Sequence, residues 1–118
     1  MSNWQNWIGR TETRTDRVDP GMVTRWLATL DRTAPGDGTV PQALHWCLCL
    51  PEAATDALDS DGHPKRGGFL PPIALPRRMW ASSAVNFHAP IHVGAEIERR
   101  STIAAVDEKQ GGTGPLVF

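Results

Sequence analysis

Apolar and polar positions change rhythm several times along the 118 residues. After a polar opening, "MSNWQNWIGRTETRTDRV", apolar side chains recur at Met22, Val23, Trp26, Leu27 and Leu30. That spacing returns to one helical face every three or four residues and predicts an amphipathic helix of about three turns. Asp19-Pro20 supplies its start, an N-cap acceptor followed by proline at the first helical position, and "TAPGDG" supplies its stop. The opening segment reads as a partly extended lead-in whose Trp4 and Trp7 dock on the body. "ALHWCLCL" is short, apolar and bounded by Pro41 and Pro51, which predicts a buried strand. "MWASSAVNF" (79–87) alternates and predicts another, followed by a bend at Pro90 and Gly94. "IERRSTIAAVDE" predicts a strand, "KQGGTG" a hairpin turn, and "PLVF" a further strand on which the chain stops. Ending on an apolar strand suggests one piece of something larger.

Between these elements lies a long irregular stretch, residues 51–78, holding five of the ten prolines. A loop of this length in a small domain is functional or disordered, and Phe69, Leu70, Ile73 and Leu75 inside it argue for order. Its second half, "GHPKRGGFLPPIALPRRMW", carries four cations, four prolines and no acid. Directly upstream, "PEAATDALDSD" carries Glu52, Asp56, Asp59 and Asp61.

Composition narrows what this basic cluster can do. Charged residues make up 21% of the chain and the formal net charge is −1, which does not provide the broad basic surface of a nucleic-acid binder. The tryptophans are scattered rather than interleaved with cations, so no base-stacking platform is outlined. No apolar run is long enough for a membrane span, and the N-terminus lacks the apolar core of a secretion signal. Cys47 and Cys49 read as buried thiols in a reducing cytoplasm. His45, His63, His88 and His92 do not converge with acids or cysteines at metal-ligand spacing, and Pro90 bars a helix between His88 and His92. No Gly-x-Ser-x-Gly elbow and no phosphate loop are present. What remains is a loop stiffened by prolines, with glycines for close approach and Arg66, Arg77 and Arg78 as donors to a phosphate or carboxylate. Equally, those arginines could simply neutralise the acidic run.

The successive stretches "W-x-GR", "TR-x-D-x-V", "P-x-x-x-HW", "DGHPKRGGFLPP", "LPRRMWA", "FHAPIHVGAEIERRSTI" and "GPLVF" resemble the N-terminal half of MaoC-like dehydratases. The branch is that of mesaconyl-C4-CoA hydratases and the mitochondrial hydroxyacyl-thioester dehydratase. The resemblance spans nearly the whole chain and is most specific between Asp61 and Trp80. It implies an α+β hot-dog fold, an antiparallel sheet wrapped around one central helix, with Asp19 to about Asp31 as the helix and strands from Leu44 onward. It further implies a double hot dog whose first half is residues 1–118, the second following the apolar end.

The implied chemistry is reversible addition of water to an enoyl-CoA thioester, a carbon–oxygen lyase reaction needing no cofactor beyond the CoA thioester itself. In the family an Asp and a His on the helix of the C-terminal half do the acid–base work, and a helix N-terminal N–H polarises the thioester carbonyl. The corresponding helix here, "DPGMVTRWLATLDR", contains no histidine, so no catalytic residue carries over. What carries over is the loop, whose Arg66, Gly67, Gly68, Phe69, Leu70, Pro71, Arg77, Arg78, Met79 and Trp80 are expected to line the acyl tunnel or touch the CoA phosphates. The expected partners are the acyl-CoA substrate and a C-terminal half or second subunit in a cytoplasmic homo-oligomer, a dimer, with no nucleic acid or membrane. The alternative from another class is a non-catalytic acyl-CoA binding or dimerisation module.

Overall fold

The computed structural model describes residues 4–118. Its regular elements are strand β1 (Thr11–Arg17), helix α1 (Pro20–Thr29), strand β2 (Glu96–Thr102) and the hairpin strands β3 (Glu108–Gly111) and β4 (Gly114–Val117). β1 pairs with β2, and β3 with β4. The described residues divide into two compact bodies. A helix body comprises Arg14–Leu50 and Ser82–Arg99, and a loop body comprises the residues through Thr13, Pro51–Ala81 and Arg100–Phe118. Among the described residues no helix is long and apolar enough to cross a membrane.

In the helix body, α1 begins as its sequence dictates. Asp19 sits in extended conformation and its carboxylate accepts the Met22 N–H at 3.2 Å, with Pro20 opening the helix. The helix stops at Thr29, three residues short of "TAPGDG". Asp31 turns left-handed (φ 53°) and the Arg32 N–H returns to the Leu27 carbonyl at 2.9 Å, closing the last turn by a 6→1 bond. Leu30 consequently falls off the apolar face and is 49% exposed. Val23 and Leu27 bury the face against Val18, Val40, Leu44, Leu48 and Cys49, with Met22, Trp26, Ile91, Ala95 and Ile97 at its margin. The edges of this core are tied by backbone bonds from Val18 to Ala95, Gly94 to Val18, Val40 to Ile91 and Val93 to Gly38, at 2.8–2.9 Å.

"ALHWCLCL" is not a strand. Leu44–Cys47 form a single 3-10 turn entered through Ala43 in the left-handed region, and Cys49 has φ 56°. The reason lies in the side chains: Leu44, Leu48 and Cys49 are buried while Trp46 and Leu50 are 57% and 56% exposed. An alternating strand would have put 44, 46, 48 and 50 on one face. The four-residue step from Leu44 to Leu48 instead fills one core from a compact turn. Both cysteines are free thiols, Cys49 buried and Cys47 half-buried.

The predicted strand at 79–87 is also absent; these residues lie outside any ladder and are exposed. Alternation prepares a segment for pairing but supplies no partner, and sheet stability comes from cross-strand contacts. The wrapping strands expected from Leu44 onward therefore begin only at Glu96, and the lead-in supplies β1 in their place. Trp4 and Trp7 are half-buried, and the Arg10 guanidinium stacks 4.0 Å above the Trp7 ring.

In the loop body, β3 and β4 form a hairpin turning at Gly112-Thr113, with Gly111 opposite Gly114. The strand predicted over "IERRSTIAAVDE" stops at Thr102, and Lys109, Gln110 and Gly111 of the predicted turn belong to β3 instead. A Cβ on Gly111 would approach Leu116 Cδ1 to 2.9 Å and the Gly114 carbonyl oxygen to 3.2 Å, so a larger residue there would need Leu116 to shift. Ile103 and Val106 are the buried aliphatics here, and the Gly9 N–H and Arg10 carbonyl both bond Ile103.

Candidate substrate-binding loop

The segment from Ala57 to Trp80 has almost no regular structure, so its shape rests on turns and side-chain staples. Leu58 bridges Pro64. Inside that bridge the Asp59 N–H bonds the His63 carbonyl at 2.7 Å, and Gly62 takes φ 83° to close the turn. The Asp61 carboxylate accepts the His63 N–H at 3.0 Å, an Asx-turn that reinforces the bend. Further on, the Gly67 N–H bonds the Leu70 carbonyl at 2.9 Å with Gly67 at φ 102°, where a side chain would be strained. The Ile73 N–H reaches the Pro71 carbonyl at 2.8 Å, and Pro71 is buried.

Two arginines lock these turns together. Arg66 Nη1 donates to the Ile73 carbonyl at 2.6 Å. Arg78 Nη2 donates to the Pro64 carbonyl at 2.7 Å and to Asp59 Oδ2 at 3.2 Å. Its Nε lies 3.1 Å from Asp61 Oδ2, at ion-pair distance but outside hydrogen-bond alignment. The Arg78 and Asp61 side chains are each only 20% exposed. The Asp61 carboxyl is held below the usual carboxylate range, first by the His63 N–H and then, against some desolvation, by the Arg78 charge. The acids upstream are thus partners of the cluster, as the neutralising reading of the sequence allowed.

The loop walls a cavity of about 280 Å³. Leu70, Pro71, Ile73, Leu75 and Met79 contribute one side, Ile103, Ala105, Val106, Val117 and Phe118 another, and Arg66, Arg77 and Arg78 the polar remainder. No acidic side chain lines it. Of the loop residues singled out in the sequence, Arg66, Leu70, Pro71, Arg77, Arg78 and Met79 come together here. Gly67, Gly68, Phe69 and Trp80 do not line it; Gly67 shapes the turn, Phe69 is half-buried and Trp80 is 80% exposed. Sequence reasoning missed Ile103, Val106 and Val117, whose apolar side chains were assigned only to strands. It also missed the "DSDGH" Asx-turn, which the Asp-x-Asp-Gly spacing could have signalled.

A different cavity, about 390 Å³, lies within the helix body beside His45, Phe87 and His88, where His45 meets the Phe87 ring edge-on at 5.6 Å. Near the same body's core, Asp16 Oδ2 accepts the Cys49 N–H at 2.8 Å, and Arg99 Nη1 donates to the Cys49 carbonyl at 3.1 Å. Those bonds hold the left-handed turn at Cys49. Acceptance of the Cys49 and Arg17 N–H groups keeps the Asp16 carboxyl below its usual range.

One helix, paired strands and an apolar, cation-lined loop cavity make an α+β arrangement, as expected of a hot-dog-type dehydratase. The sequence model of hydroxyacyl-thioester dehydratase type 2 matches residues 41–117, a span that includes the entire loop, and the chain belongs to that family. It is 42% identical over 120 residues to the mesaconyl-C(4)-CoA hydratase of Chloroflexus aurantiacus, a match covering 99% of this chain and 43% of that protein. The chain therefore spans less than half the length of this relative.

Proposed function

We propose that this chain is the substrate-shaping N-terminal part of a hydro-lyase that adds water reversibly to a short CoA thioester. The dicarboxylic C4 thioester named for the Chloroflexus aurantiacus relative is the first candidate. The observation that carries this reading is that the family match covers every residue lining the loop cavity except Phe118. Its apolar walls suit an acyl group, and its guanidinium groups suit an anionic substrate. In hydration, the water oxygen bonds the β-carbon of the enoyl thioester, the C=C π bond opens, and the α-carbon takes a proton. The residues that move those protons are assigned to a C-terminal half, because α1 has no histidine to pair with an acid. The working protein would then be an assembly of both halves in a cytoplasmic homo-oligomer, with the thioester as substrate and no separate cofactor.

The test is to follow the ultraviolet absorbance of mesaconyl-C4-CoA with this chain alone. It is then repeated after co-expression with the part of the Chloroflexus aurantiacus relative outside the match. No turnover alone and turnover in the mixture is the expected pair of results. Robust hydration by the 118 residues alone would overturn the division of labour. Tight thioester binding with no turnover in either arrangement would favour a binding module instead.

A further inference from the structure

The loop cavity carries a further inference, which rests on the thioester reading. Three guanidinium groups border it, and they are not equivalent. Arg66 is committed to the Ile73 carbonyl, and Arg78 to the Pro64 carbonyl, Asp59 and Asp61. Each holds the loop to itself, and Arg78 is largely neutralised. Arg77 is exposed, lines the same cavity, and among the described residues its side chain makes no hydrogen bond or ion pair.

The backbone that carries it is nonetheless constrained. Pro76 before it has its φ set by the ring, and Arg78 after it is anchored at three points. A free guanidinium on a stiff mount is prepared to bind a planar or tetrahedral oxyanion through two parallel N–H bonds. The apolar walls beside it, Leu70, Ile73 and Leu75, lower the local dielectric and strengthen that attraction. The absence of any acidic lining side chain leaves it without a competitor inside the cavity. The matching ligand has an apolar portion and an oxyanion on one molecule.

We propose that Arg77 is the anion-binding residue of this cavity and holds an oxyanion of the CoA thioester, while Arg66 and Arg78 are positioning residues that build the loop. The oxyanion has two possible sources, a phosphate of the CoA or a second carboxylate on the acyl group, and ligand choice separates them. Calorimetric titration of the 118-residue chain uses three thioesters that cannot be hydrated: butyryl-CoA, glutaryl-CoA and S-butyryl-pantetheine, which lacks phosphate. Arg77→Ala is expected to weaken CoA-thioester binding roughly tenfold or more, with Arg77→Lys recovering part and both variants melting with the wild type. Equal losses for butyryl-CoA and glutaryl-CoA, with S-butyryl-pantetheine unaffected, identify a phosphate. A loss confined to glutaryl-CoA identifies the acyl carboxylate. Unchanged affinity of Arg77→Ala for both CoA esters overturns the assignment and leaves the thioester reading standing. Failure of the wild type to bind any of the three overturns the thioester reading for this chain, and the role of Arg77 with it.

Discussion

The helix body and the loop body solve the same problem with opposite chemistry. Around α1, seven apolar side chains bury one another and the polar groups mostly tidy edges. In the Ala57–Trp80 loop, few side chains are buried, and shape comes from turns closed by backbone bonds and from two arginines fastened to carbonyls and carboxylates. An apolar core loses stability when a void is left among its side chains but needs no particular polar partner at each position. A stapled loop leaves a cavity open because its rigidity does not depend on filling space. A binding surface is therefore expected where the chain is held by polar staples.

The comparison can be broken most forcefully from the helix body. Leu44 is fully buried, and Leu44→Ala is expected to cost about 2–5 kcal/mol by deleting burial and leaving a void. Denaturant unfolding measures it; a loss under about 1 kcal/mol would show that the core is not what holds this body. Next comes the staple. Arg78→Ala removes the donor to Pro64 and strips two carboxylates of their cation, for an expected loss of about 1–3 kcal/mol. Because the damage is local to the loop, thioester binding should fall along with the melting temperature, whereas Leu44→Ala should lower stability with binding intact below the transition. Identical responses from the two variants would erase the distinction.

The smallest effect separates the bodies by acid. Asp16 in one and Asp61 in the other both have carboxyls lowered from 3.8 by accepting backbone N–H groups. A depressed folded value means the contribution is fully present above 3.8 and is lost as pH falls through the lower folded value. The carboxyl-linked shifts of the Cys49 and His63 amide resonances should therefore appear only on acidification below 3.8. Asp16→Asn should abolish the shift at Cys49 alone, and Asp61→Asn that at His63 alone. An inflection above 3.8 that Asp16→Asn or Asp61→Asn removes would contradict the hydrogen bonds assigned to those carboxylates.

Local signals in the sequence were read well where they are self-sufficient. Asp19-Pro20 placed the start of α1, and the paired glycines placed the β3–β4 hairpin, because caps and two-residue turns are decided within a few residues. The failures share a cause. "ALHWCLCL" and "MWASSAVNF" have strand-like composition, but pairing requires a neighbour at the right place, and neither segment carries that information. Instead Leu44 and Leu48 were claimed by the face of α1, and Cys49 by Asp16 and Arg99. For the site, the proline-glycine-arginine texture located the loop. Which arginine remains available was not legible, since it depends on Asp59 and Asp61 folding back through the turn at Gly62.

The bonds around Val18 and Cys49 also impose an order of assembly. Asp16 meets Cys49 across 33 positions and Arg99 meets it across 50. Val18 and Val40 find their backbone partners only at Gly94, Ala95 and Ile91. On a ribosome, α1 emerges roughly 60 residues before those partners, a delay of about 3–12 s at ordinary elongation rates. Throughout that interval its apolar face has only Val18, Val40, Leu44, Leu48 and Cys49 as native cover, so the margin of the nascent core stays open until Ile91–Ile97 have been translated.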